Sequence, residues 1–116
     1  MTDAAQELSA EDQKLVTLAR ATRARTGAAE GAAVRDTDGR TYAATSVSLP
    51  SLQLSAVQVA VAMAVSSGAT GLEAVAVIGP EALAENDRSA IGDLGGSAVV
   101  VWLTDGAGAV RDRVAL

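Results

Sequence analysis

The chain has no histidine and no cysteine. Thiolate and imidazole zinc sites need those residues, and so do the Ser-His-Asp and Cys-His nucleophile systems. Most of the familiar hydrolytic chemistries are therefore excluded. Phenylalanine is also absent, and Tyr42 and Trp102 are the only aromatic residues, which argues against a stacking platform for bases. Positive charge is scarce. Nine basic residues face fourteen acidic ones, a formal net charge of −5, and an acidic chain is a poor candidate for electrostatic binding to nucleic acid. The longest unbroken apolar run, Val59 to Val65, is far too short to span a membrane. The N-terminal stretch MTDAAQE carries early acids and no apolar core of a signal peptide. The expectation is a cytoplasmic protein with neither nucleic acid nor membrane as a partner.

What is present fits one domain of 116 residues. We expect a polar tail over 1–8 and a single domain over 9–116. Ser9 is a good N-cap, Glu11 and Asp12 suit the positive end of a helix, and Gly27 stops it. Leu15, Leu18, Ala19 and Thr22 recur at helical spacing, which predicts a helix over 10–25. Segments 32–35 and 41–47 read as strands joined by an Asp38-Gly39 hairpin tip, with Pro50 ending the second. Leu52 to Ser67 is the longest apolar element and reads as a helix apolar nearly all round, a pattern of burial on several sides. Leu72 to Ile78 is a near-continuous apolar strand. A weaker helix over 81–94, a strand over 98–103 and a short edge strand over 110–115 follow. Strands linked by helices should run parallel with right-handed crossovers. The fold class is α/β, with a mixed sheet between helices.

The segments GAAVRDTDGRTYAATSV and LSAVQVAVAMAVSSG resemble the strand-hairpin-helix core of the cytidine deaminases. The likeness is best at Gly31-Ala32-Ala33-Val34, at Asp38-Gly39, and at the helix ending Ala64-Val65-Ser66-Ser67-Gly68. It runs over about 9–106. The resemblance implies a cytidine deaminase-like three-layer α/β/α fold whose mixed sheet has an antiparallel hairpin followed by parallel strands. It also implies homodimers or tetramers packed through the central helix, where Val59 and Met63 would lie in the interface.

The resemblance also implies a zinc site, and its residues do not follow. Zinc deaminases use a His or Cys, a Glu two residues on, then a distant Pro-Cys-x-x-Cys. The metal lowers the pKa of its water from 15.7 to about 7, and the glutamate moves protons. Here the first ligand position falls on Ser55, Ala56 follows, and Val57 stands where the glutamate should be. The two cysteine positions fall at about Ala84 and Asp87. The family's sugar contacts, an Asn and a Glu on the second strand, fall near Thr45 and Val47, and an aromatic before the first strand falls near Ala28. These eight residues form the expected vestigial pocket, with no catalytic residue, no zinc and no other cofactor.

Other candidate sites have plainer readings. Arg20, Arg23 and Arg25 offer a patch for phosphate or an acidic partner, but also suit the negative end of their helix. Gly92-x-x-Gly95-Gly96 follows a helix, whereas a phosphate loop precedes one. Asp36 and Asp38 serve turn chemistry before metal binding. Ser55 as a nucleophile has no base in its motif and reads as a cap. The leading expectation is a non-catalytic protein of the deaminase fold that acts through self-association or a protein partner. Its rivals are a nucleoside- or nucleotide-binding module and a cytidine deaminase by homology.

Overall fold

The computed structural model describes residues 8–116. The expected tail over 1–8 thus lies outside the described residues except for Leu8, which packs against the core. Helix α1 runs Ala10–Thr26 between the caps expected for it. Ser9 Oγ accepts from the Asp12 amide at 3.0 Å, and Gly27 adopts φ 69°, the left-handed conformation glycine favours. Its inward stripe is Asp12, Leu15, Val16, Ala19 and Thr22. Leu18, expected in that stripe, is 38% exposed. One residue turns a helix by about 100°, so Val16 and Leu18 cannot share a face.

Strands β1, Gly31–Asp36, and β2, Thr41–Thr45, form the expected hairpin, with Gly39 at φ 87° in the tip. Asp36 organises the turn. Its Oδ1 accepts from the Asp38 and Arg40 amides, each at 2.9 Å, and its Oδ2 accepts from the Tyr42 hydroxyl at 2.9 Å. The second strand stops at Thr45, not at Val47. Val47 opens a separate antiparallel ribbon of β3, Val47–Leu49, and β4, Leu52–Leu54, which turns through Pro50-Ser51. The central helix consequently starts four residues later than apolar periodicity predicts. Helix α2 is Ala56–Ser66, and a capping box fixes its start: the Ser55 side chain accepts from the Gln58 amide while the Gln58 side chain accepts from the Ser55 amide.

Beyond it come β5, Leu72–Ile78, α3, Glu85–Gly95, β6, Val100–Thr104, and β7, Val110–Ala115. Helix α3 starts at Glu85 rather than Glu81: the chain bends at Glu81 and Ala82, and Ala84 is still extended. The sheet order is β2-β1-β5-β6-β7. Strand β1 is antiparallel to both neighbours, β5 and β6 are parallel, and β7 returns antiparallel.

Alternation along the strands divides the core between two faces. Ala33, Ala74, Ala76 and Ile78 meet Leu15, Val16 and Ala19 of α1. Val34, Val75, Val77, Val101 and Leu103 meet Val57, Val61 and Ile91 of α2 and α3. This is the expected three-layer α/β/α arrangement with a mixed sheet. Gly31 lets α1 lie close to β1, since a Cβ there would sit 2.6 Å from the Ala19 carbonyl oxygen. Under α1, buried Asp12 receives two hydrogen bonds of 2.9 Å, from Arg35 Nη2 and from the Trp102 indole. Among the described residues no helix is long and apolar enough to cross a membrane.

Candidate functional site

The beginnings of α2 and α3 meet on one side of the sheet, and a pair of side chains joins them. Ser55, the N-cap of α2, donates from Oγ to Asp87 Oδ1 at 2.5 Å. The same oxygen accepts from the Gln58 amide at 3.0 Å. Asp87 lies in the first turn of α3 and is only 6% exposed. Two positions chosen from motif spacing, 32 residues apart, are thus in direct contact. Ala84, the third ligand position, is the N-cap residue of α3 and makes no side-chain cap. Ala56 and Val57 are fully buried in the first turn of α2.

A further carboxylate that the sequence reading missed enters here. Glu30, just before β1, accepts from the Ala56 amide through Oε1 at 3.3 Å. Its backbone is held by Ser46: the Ser46 amide donates to the Glu30 carbonyl at 3.2 Å, and the Glu30 amide donates to Ser46 Oγ at 3.4 Å. The available signal was a lone acid in the run Gly27-Ala28-Ala29-Glu30-Gly31-Ala32, at the mouth of a strand. Thr45 ends β2 opposite Gly31, one residue from this junction. Val47 pairs with Leu54 in the ribbon that leads to Ser55. Ala28 is half-buried in the connection between α1 and β1, and no hydrogen bond ties it to the junction.

A sequence model of the family described as cytidine deaminase-like matches residues 8–108. The chain belongs to this family. Its fold is similar to that of a cytidine deaminase from Burkholderia pseudomallei, with TM-score 0.80 and 25% identity over 93% of each chain. It is also similar to the cytidine deaminase from Mycobacterium tuberculosis, with TM-score 0.67 and 26% identity over 76% of this chain and 80% of that one. The cytidine deaminase from Mycobacterium leprae, at 21% identity and TM-score 0.68, shares the fold over 78% of this chain and 85% of its own. No curated protein sequence matches the chain.

Cytidine deaminases of the zinc class need three protein ligands and a mobile proton. In this cytidine deaminase-like chain the positions that the family resemblance assigns to them carry a hydroxyl at Ser55, a methyl at Ala84 and a carboxylate at Asp87. Zinc is held by thiolate, imidazole and carboxylate. The single carboxylate among the three is engaged by the Ser55 hydroxyl. Among the described residues no group of three or more His, Cys, Asp or Glu side chains is gathered for a metal. The residues present do not fit the ion. Val57 has no proton to give or take.

The other polar candidates resolve into structure. Asp36 is held below the usual carboxylate range: burial pushes its pKa up, but the Arg40 amide, the Tyr42 hydroxyl and the Asp38 amide together outweigh that. Burial and the hydrogen bond to Asp36 push Tyr42 up. Arg23 donates to the Ala29 carbonyl at 3.2 Å, beyond the end of α1, so it serves the connection to β1 as well as the helix terminus.

Proposed function

We propose that this chain is a non-catalytic member of the cytidine deaminase-like family, without bound zinc, that acts by associating with itself or with a protein partner. The observation that carries this reading is the direct Ser55–Asp87 hydrogen bond, joining two residues that the family resemblance assigns to ligand positions, with Val57 at the position it assigns to the proton shuttle. Self-association is supported by exposed and half-buried apolar side chains on the two flanks of α2, Val59 with Met63 on one and Val65 on the other, and on the ribbon. Met63 is 40% exposed, Val65 54%, Leu49 54% and Leu52 48%. Val59 is half-buried beside Met63. Exposed apolar side chains on both flanks of one helix favour burial against a second surface. The net acidic charge supports neither nucleic acid nor an anionic membrane as the partner.

The test is elemental analysis of purified protein together with a deamination assay on cytidine and deoxycytidine. The expected result is no stoichiometric zinc and no turnover above a mock preparation. Zinc near one atom per chain, or real turnover, overturns the proposal. It would favour the second reading, a working cytidine deaminase, which draws support from the 93% coverage by a solved cytidine deaminase. A third reading, a nucleoside- or nucleotide-binding module, requires a ligand-dependent rise in melting temperature, because a ligand that binds only the folded state must stabilise it.

A further inference from the structure

We infer that the Ser55–Asp87 hydrogen bond is a metal-free latch, which holds the start of α3 to the start of α2 at the place where the family motif would put a metal. The inference rests on the zinc-free reading above.

Helix α3 has a small buried face: Ile91 enters the core and Leu94 packs against it. It buries only Asp87 and Ile91. Its N-cap, Ala84, makes no side-chain cap, and its last turns include Gly92, a poor helix former. A charged side chain thus occupies one of only two buried positions in the helix. Burying a carboxylate is costly unless its hydrogen bonds and charge are compensated. Among the described residues no Lys or Arg nitrogen lies within 4.0 Å of the Asp87 carboxylate. What faces it is the Ser55 hydroxyl at 2.5 Å, a distance in the charge-assisted range for O–H to carboxylate. Asp87 also stands at the positive N-terminal end of its own helix, and Ser55 brings it to that of α2. The one carboxylate therefore lies near the positive ends of two helices, and its hydrogen-bond partner is the Ser55 hydroxyl. Ser55 is fixed in turn by its capping box with Gln58, so the hydroxyl is aimed before α3 docks.

The test is a double-mutant cycle by urea unfolding on Ser55→Ala, Asp87→Ala and the pair, repeated with added zinc and with a chelator. The latch requires the pair to be coupled by fivefold or more in the unfolding equilibrium constant, beyond what independent losses give. It also requires that zinc and chelator leave the wild-type value unchanged. Coupling below fivefold in a protein indifferent to zinc refutes the latch alone. Zinc-dependent stabilisation of wild type refutes the latch together with the zinc-free reading.

Should the alanine variants fail to fold, amide hydrogen exchange on wild type, Ser55→Thr and Ser55→Gly decides. Threonine keeps the hydroxyl, and glycine removes it at little cost to the cap of α2. Loss of α3 protection in Ser55→Gly beyond any loss in α2, with Ser55→Thr at the wild-type level, supports the latch. Protection over α3 in Ser55→Gly at the wild-type level, or reduced no more than that of α2, refutes it, since α3 would then follow helix capping in general.

Discussion

Replacing Asp12 with alanine is expected to cost about 3–5 kcal/mol of folding stability, the range for breaking a buried charge pair from one side. Asp12 and Arg35 side chains are only 11% and 14% exposed, and their contact is 2.9 Å. Removing the carboxylate strands the guanidinium, whose Nη1 is buried and already lacks a partner. Glu73, at 3.8 Å from Arg35 Nε but 46% exposed, is a weak replacement. The Trp102 indole N–H also loses its acceptor, and an unsatisfied buried donor costs about 1–3 kcal/mol. These losses share one network, so they do not simply add. For a domain of this size a change of 1 kcal/mol moves the melting temperature by roughly 4 °C, so a fall of about 12–20 °C is expected. Far-ultraviolet circular dichroism and Trp102 fluorescence should report it in one transition. Asp12→Asn, which keeps an acceptor for the indole, should lose about half as much by the same reasoning. A loss below about 1 kcal/mol for Asp12→Ala would show that the network contributes only what a surface ion pair does.

Asp36 contributes to acid tolerance, as does Asp105, which backbone amides also hold below the ordinary carboxylate value. The folded-state pKa of Asp36 lies below the ordinary value, so its contribution is complete above the unfolded carboxylate value of about 3.9 and is lost as pH falls through the folded value. Asp36→Asn should therefore flatten the stability curve below about pH 4, and a curve parallel to wild type there would refute the assignment. Gly31→Ala forces a methyl to 2.6 Å from the Ala19 carbonyl oxygen and 2.8 Å from Arg23 Cβ. It should cost about 1–3 kcal/mol as overpacking, measured by urea unfolding, and a neutral result would mean that α1 is free to move off the sheet. Met63→Glu or Val59→Glu should give a smaller folded species by light scattering, or unfold the chain if association is obligate. A wild type that is monomeric at micromolar concentration removes the basis for that interface. The variant carrying Ser55→Cys, Val57→Glu, Ala84→Cys and Asp87→Cys should remain inactive on cytidine, because Thr45 and Val47 do not supply the Asn and Glu that the family resemblance places at the sugar; turnover by it would show that those contacts are dispensable.

Local signals were the readable part of this chain. Ser9 and Gly27 bracket α1, Asp38-Gly39 makes the hairpin, and the apolar run Leu72–Ile78 and the edge segment Val110–Ala115 mark their strands to the residue. Each depends on chemistry within a few positions. The ribbon of β3 and β4 was hidden because Leu52 and Leu54 extend the apolar pattern of α2, and only the Ser55–Gln58 capping box separates them. The Ser55, Val57 and Asp87 positions were legible from motif spacing. Their surroundings were not: Glu30 reaches Ala56 across 26 residues, and Trp102 reaches Asp12 across 90. Such pairings are decided by which strands lie side by side. Neither partner carries a mark of the other in its own neighbourhood, and both polar tips of the two aromatics proved to be anchors for buried carboxylates.

The last strand has a consequence for how copies of this protein can meet. Strand β7 forms one border of the sheet, and Arg111, Asp112 and Arg113 are exposed along it. Arg113 lies with its guanidinium carbon 5.7 Å from the centre of the Trp102 ring, and Arg111 reaches the Gly79 carbonyl at 3.1 Å. A naked strand border is a template for unlimited stacking of one sheet on the next, and charged side chains along it are the usual guard against that. A second chain approaching this border would have to strip water from three charges before making its first backbone hydrogen bond. Growth into ribbons and fibrils is thereby discouraged along β7.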